Sequence, residues 1–197
     1  MQCDASKLIS YCWNLREISD RCGEEESEGR SFPITSLPIF PRLTKLTIKG
    51  VPKLSLETVD GILQGCCHSL YELYLWGMES WECMPESIQH LTALTSLCLI
   101  DFGMEELPEW FGNLSSLKSL QLYNFKRLRR LPSMDAMRRL TTLKRLVIKR
   151  CPELVIKSEA DYEWPKVSHI PHIEIDDRPP IHRRRPESWI QPFPINY

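Results

Sequence analysis

The stretch LTSLCLIDFGMEELPEWFGNL, residues 94–114, sets Leu94, Leu97 and Leu99 at positions one, four and six of a short apolar pattern. Leu107-Pro108 follows, and then the apolar pair Phe111 and Leu114. Side chains alternate along a strand, so Leu97 and Leu99 share one face. A strand this short cannot bury that face alone. The stretch makes physical sense only if an equivalent strand packs beside it.

The same spacing recurs at Leu43-Leu46-Ile48, Leu70-Leu73-Leu75, Leu117-Leu120-Leu122, Leu143-Leu146-Ile148 and Ile170-Ile173-Ile175. The six starts are separated by 27, 24, 23, 26 and 27 residues. Periods of this length with the pattern L-x-x-L-x-L are the signature of leucine-rich repeats. Stacked copies can bury what one copy cannot. The predicted fold is therefore an α/β solenoid, a horseshoe arc with a concave parallel sheet and an irregular, short-helix convex side.

The return paths are apolar too. Met84-Pro85, Leu107-Pro108 and Leu131-Pro132 hold the same place in three copies. Ile88 and Leu91 follow the first and Phe111 and Leu114 the second, a step that suits a short helical or 3₁₀ turn. The first return path differs. Leu56, Val59, Ile62, Leu63 and Cys66 follow helical spacing behind a capping Ser55, which predicts an amphipathic helix over roughly 56–67. Position nine of the copies holds Val51, Met78, Phe102, Phe125 and Cys151 rather than asparagine. The turns after the strands should accordingly be packed by apolar side chains.

The expected organisation is a degenerate or truncated repeat at 1–19, an acidic loop or linker at 20–36, the repeat domain at 37–177 and a Pro/Arg-rich tail at 178–197. The first rests on a loose match of LISYCWNL (8–15) to the fifth copy. The tail has five prolines in twenty residues and should run as extended coil.

Composition is that of an ordinary globular chain: 197 residues, 42% hydrophobic and 26% charged. No apolar run is long enough to span a membrane, and no secretory signal opens the chain. A cytoplasmic setting without membrane partners is the expectation. The net charge of −1 hides an asymmetry. Residues 54–117 hold ten acids and no Lys or Arg, while 118–150 hold eleven bases against one acid. The eight cysteines form no C-x-x-C pair, and reduced, mostly buried thiols are the simplest reading.

Laid out in this way, the sequence resembles the C-terminal leucine-rich-repeat domain of plant intracellular nucleotide-binding, leucine-rich-repeat disease-resistance proteins, those with an N-terminal coiled coil. The resemblance is carried by LPIFPRLTKLTIKGVPKL (37–54), LPEWFGNLSSLKSLQL (107–122), LKRLVIKRCPEL (143–154) and the closing phrase EWPKVSHIPHIEID (163–176). It implies a module that recognises pathogen effectors or guarded host proteins and docks onto a sibling nucleotide-binding domain. The family's phosphate loop, G-x-x-x-x-G-K-[ST], does not occur in this chain. Neither ATP nor another cofactor is expected to bind here, and the chain reads as a terminal fragment or truncated product. The alternative is a freestanding repeat adaptor or scaffold.

Positions three, five and seven should face outward on the concave side. They read Lys45, Glu72, Ser96, Ser119, Arg145, His172; then Thr47, Tyr74, Cys98, Gln121, Val147, Glu174; then Lys49, Trp76, Ile100, Tyr123, Lys149, Asp176. Tyr74, Trp76, Ile100 and Tyr123 make an aromatic and apolar centre. Glu72, Lys45, Lys49, Arg145 and Lys149 surround it. Such a centre is either a protein-binding hot spot or a set of side chains packing laterally on one another.

A second candidate surface is Lys126, Arg127, Arg129, Arg130, Arg138 and Arg139. These bases are either a solvated face or a docking patch for an acidic partner. Nucleic acid is disfavoured because no nucleic-acid-binding motif accompanies them. HRRR at 182–185 is too short to decide anything about localisation.

No catalytic or metal-binding set emerges. The histidines are scattered, no nucleophile motif occurs, and Cys98 has no histidine on its own strand. Asn113-Leu114-Ser115 matches a glycosylation acceptor by chance, since Leu114 should be buried.

Overall fold

The computed structural model describes residues 43–49, 55–156, 161–176 and 181–182. Six parallel strands follow one another in a single sheet: β1 (Lys45–Ile48), β2 (Glu72–Trp76), β3 (Ser96–Ile100), β4 (Ser119–Tyr123), β5 (Arg145–Lys149) and β6 (His172–Ile175). Their register matches the repeat alignment, with Lys45, Glu72, Ser96, Ser119, Arg145 and His172 successive neighbours. Strand order equals chain order, and each crossover carries one return path. The chain thus folds as a leucine-rich-repeat solenoid.

The sequence pattern explains the core. Positions one, four and six point inward, and every one of them is buried in all six copies. Truncating one such leucine to alanine costs about 2–5 kcal/mol. The opposing wall is built by the return paths. Helix α1 (Leu56–Gln64) contributes Val59 and Leu63, with Cys66 just beyond it. Ser55 Oγ caps it, accepting from Thr58 N at 3.2 Å. The helix stops three residues before the predicted end, at Gly65, which is a poor helix former. The next two return paths are the 3₁₀ turns Glu86–His90 and Glu109–Asn113, which bury Ile88 and Phe111. Helix α2 (Met134–Arg139) starts at Ser133, whose Oγ accepts from Ala136 N at 3.2 Å. Helix α3 (Trp164–Val167) closes the last return path.

Position eight carries the chain out of each strand. Asp101, Asn124 and Arg150 have φ of 62°, 57° and 56°, the left-handed region that Asp and Asn tolerate best. That step turns Asp101 N onto Tyr123 O at 3.1 Å and Asn124 N onto Lys149 O at 2.9 Å. Copy six departs from the alignment. There the left-handed residue is Asp176, φ 43°, one position early. Asp176 therefore belongs to the turn, and its Oδ1 accepts from Arg150 N at 2.6 Å.

Apolar packing of the turns is observed. Phe102 and Phe125 at position nine stack with centroids 5.6 Å apart, and Trp81 meets Phe102 edge-on at 5.9 Å. Cys151 continues this row and is buried. Beside it, Gly103 lies so near the preceding turn that a Cβ there would sit 1.8 Å from Glu79 O. The obstacle is backbone and cannot rotate away. Gly103→Ala should therefore lower stability by about 1–3 kcal/mol, the usual cost of overpacking. An unchanged thermal midpoint would contradict this reading.

One correction concerns the tail. Ile181–His182 form a short strand, β7, antiparallel to β6, with Ile181 opposite Ile173 and His182 opposite His172. An extended coil was expected from residue 178. An unpaired edge is a liability, and two residues suffice to blunt it. The degenerate repeat, the acidic linker and the remainder of the tail lie outside the described residues. No described helix is long and apolar enough to cross a membrane.

Candidate functional site: the concave sheet and its charged rim

The strands place the expected concave residues side by side. Trp76, Ile100 and Tyr123 are register neighbours on β2, β3 and β4, with Lys149 next on β5. All four are half-buried. Lys49, just past β1, is exposed, and its Nζ sits 5.4 Å from the Trp76 ring centroid. Lys45 is likewise exposed, 5.0 Å from the Tyr74 centroid and 3.1 Å from Glu72. Tyr74 and Trp76 thus each face a lysine. Burial, then the charge of Glu72, pushes the Tyr74 hydroxyl up to about 12. Tyr123 donates to Gln121 Oε1 at 3.2 Å.

The rest of the face is less open than a bare strand pattern predicts. Ser96, Cys98, Ser119, Gln121 and Val147 are all buried. Burial pushes the Cys98 thiol up to about 12, and a thiol held neutral is a poor nucleophile. Cys66 and Cys151, also buried, are pushed up to about 11. At the far side, Glu174 receives Arg145 at 3.3 Å and Lys149 at 3.0 Å. A hollow of about 350 Å³ opens where the strands end, with Gly77, Asp101 and Asn124 in its wall.

The basic candidates take a different place. Lys126, Arg127, Arg129 and Arg130 lie on the loop after β4 and pair within the chain. Lys126 meets Glu79 at 3.1 Å, and Arg127 meets Glu82 at 3.1 Å and Glu105 at 2.8 Å. Arg129 lies between Glu105 at 3.6 Å and Glu153 at 3.8 Å, and Arg130 binds Glu106. The Glu105 carboxyl is held below its ordinary range, first by its hydrogen bond to Arg127. Arg139 only reaches Glu109 O at 3.5 Å, and Arg138 is exposed on α2. Four of the ten acids and four of the eleven bases are therefore paired with one another inside the solenoid, copy against copy. A signal existed: Glu105 and Glu106 precede Arg129 and Arg130 by 24 residues, one repeat. These pairs are exposed, so each contributes little and screens readily. Molar salt should lower the melting temperature by no more than a few degrees. A collapse of the fold in salt would show the ladder to be essential.

A charged pair missed in the sequence lies on the convex side. Glu163 and Lys166 are buried and bond one another at 2.8 Å. Glu163 accepts from Leu131 N at 2.9 Å, and Lys166 donates to Leu131 O at 3.1 Å.

Residues 86–151 match the family described as R13L1/DRL21 LRRs. The match covers the second, third and fourth return paths and strands β3–β5. It supports a leucine-rich-repeat domain, a fold whose general business is protein interaction. No solved structure matches the chain.

Proposed function

We propose that the chain is a protein-recognition and autoinhibition module of a plant intracellular immune receptor of the nucleotide-binding, leucine-rich-repeat class. The observation that carries this reading is the half-buried row Trp76, Ile100 and Tyr123, on adjacent concave strands, together with the match to R13L1/DRL21 LRRs. Large side chains with an apolar body suit an anchor that is partly shielded before binding and fully shielded after it. The partner classes that fit are a pathogen effector, a guarded host protein or the sibling nucleotide-binding domain. The basic loop is the weaker candidate surface, because four of its six bases already have carboxylates.

The test is a triple variant, Tyr74→Ala, Trp76→Ala and Tyr123→Ala, compared with the wild type by proximity labelling in plant cells. Proteins labelled by the wild type should be lost with the variant, while circular dichroism stays unchanged. Hot-spot truncations cost about 2 kcal/mol or more, so affinity for a purified partner should fall more than thirtyfold, roughly. Full retention of partners would sink the concave assignment. Partners that are nowhere connected with defence would favour the freestanding adaptor.

A further inference from the structure

The chain re-enters the sheet through the same turn before β3, β4 and β5. Thr92, Ser115 and Thr141 each stand two residues ahead of a position-one leucine, Leu94, Leu117 and Leu143. The backbone repeats as well. Thr92 N donates to His90 O at 2.9 Å, Ser115 N to Asn113 O at 2.8 Å and Thr141 N to Arg139 O at 2.8 Å. Each of these residues is exposed, and the leucine before each is buried. The same hydroxyl position thus recurs in successive copies, and what differs is the pair of residues leading into it. Gln89 and His90 lead to Thr92, Gly112 and Asn113 to Ser115, and Arg138 and Arg139 to Thr141.

The structure also separates Thr141 from the hydroxyls nearby. Thr142 follows the same arginines, but its Oγ1 is held between Ser115 O at 2.6 Å and Leu117 O at 2.8 Å. Ser133 lies three residues beyond Arg130, but its Oγ caps α2 and bonds a Glu109 carboxylate oxygen at 2.6 Å. Thr141 Oγ1 makes no hydrogen bond among the described residues. Arg138 and Arg139 are exposed and make no ion pair among them either. Two unspent guanidinium groups directly ahead of a free hydroxyl form a charge pattern of the kind by which protein kinases select substrates.

We infer that Thr141 is the acceptor of a protein kinase that reads arginines ahead of its target. The Oγ1–P bond forms as the bond from the γ-phosphorus to the bridging oxygen of ATP breaks. ADP leaves with the electron pair, and the hydroxyl proton passes to the kinase's carboxylate. The new group carries about −1.5 to −2 charges and pairs readily with guanidinium. It therefore offsets Arg138 and Arg139, the two bases of the candidate docking patch that no carboxylate already holds. Modification withdraws the part of that patch still open to an acidic partner, whatever the concave face binds. Kinases take the acceptor stretch extended, so the last turn of α2 opens during transfer. A six-residue helix holds only through packing. Leu140 is fully buried and has to leave its seat, so the folded chain should react more slowly than the free peptide.

The test incubates the full chain with magnesium ATP and the catalytic subunit of the cyclic-AMP-dependent kinase, a probe that favours arginines two and three residues ahead of its acceptor. Mass spectrometry locates the phosphate. Thr141 should be filled to near completion, while Thr92 and Ser115 on the same turn stay bare. Arg138→Ala and Arg139→Ala should each slow transfer about tenfold or more, the effect of one lost charge-assisted contact. A further variant moves the pair. Gln89→Arg with His90→Arg gives Thr92 the same approach, and Thr92 should then be modified too. Melting curves confirm that the variants fold. Phosphate on Thr142 or Ser133 in place of Thr141 would overturn the proposal. So would modification of the free peptide without the folded chain, or a bare Thr92 after the arginines are moved.

Discussion

Replacing Phe102 by alanine should lower the unfolding free energy by about 3–5 kcal/mol, the range for deleting a fully buried aromatic ring. Phe102 is 1% exposed and touches three elements of the turn region. Phe125 stacks on it, Trp81 meets it edge-on, and Gly77 has no Cβ because the ring occupies that space, 2.8 Å from where one would stand. The ring therefore fills the place that connects copies two, three and four. In a solenoid each copy is held by its neighbours, so a cavity at this junction weakens two interfaces at once. Urea denaturation measures the loss, with the m-value reporting whether the whole array still unfolds together. Phe102→Leu, which keeps much of the volume, should cost clearly less. A loss under about 1.5 kcal/mol for alanine would mean that the turn collapses around the gap, and the stacked rings would be filler rather than support.

The ring was identifiable in advance because position nine is fixed by the repeat. The strands were legible for the same reason. Leu97 and Leu99 alternate with Ser96 and Cys98, and five other copies repeat the alternation, so register followed from alignment alone. What escaped depends on contacts that no period encodes. Asp176 looks like a concave residue by counting, but copy six turns one residue early and makes it a cap. Ile181–His182 pair with β6 although the surrounding composition argues for coil. The charge asymmetry was plain, and the one-repeat offset of Glu105 and Glu106 from Arg129 and Arg130 was there to be read, but the two-repeat pairs of Lys126 with Glu79 and Arg127 with Glu82 appear only when the loops after β2, β3 and β4 are stacked. The concave candidates were placed correctly on adjacent strands. The burial of Ser119 and Val147 between them was not foreseen, since alternation gives direction and not depth.

Glu163→Gln should cost about 3–5 kcal/mol, because it leaves the Lys166 ammonium buried without its counter-charge. Lys166 is 8% exposed and Glu163 4%, so water cannot take the missing partner's place. The pair does more than neutralise itself. Its two members bond both backbone groups of Leu131, one the N–H and the other the C=O, as a neighbouring strand would. Leu131 is itself buried, and its backbone has to be satisfied somewhere. Glu163 stands at the N-terminus of α3 but makes no cap there, its carboxylate being used on Leu131 instead. The arrangement therefore pins the last return path to the loop that follows β4. A double-mutant cycle separates the contributions. Glu163→Leu with Lys166→Met removes both charges together, and should cost less than Glu163→Gln alone, about 1–3 kcal/mol for the orphaned Leu131 groups. Unlike the exposed rim ladder, this loss should not change with salt, because a buried pair is weakly screened. If Glu163→Gln were instead as mild as Glu106→Gln, the convex pair would be solvated in solution, and the attachment of α3 would rest on Val167 and Trp164 alone.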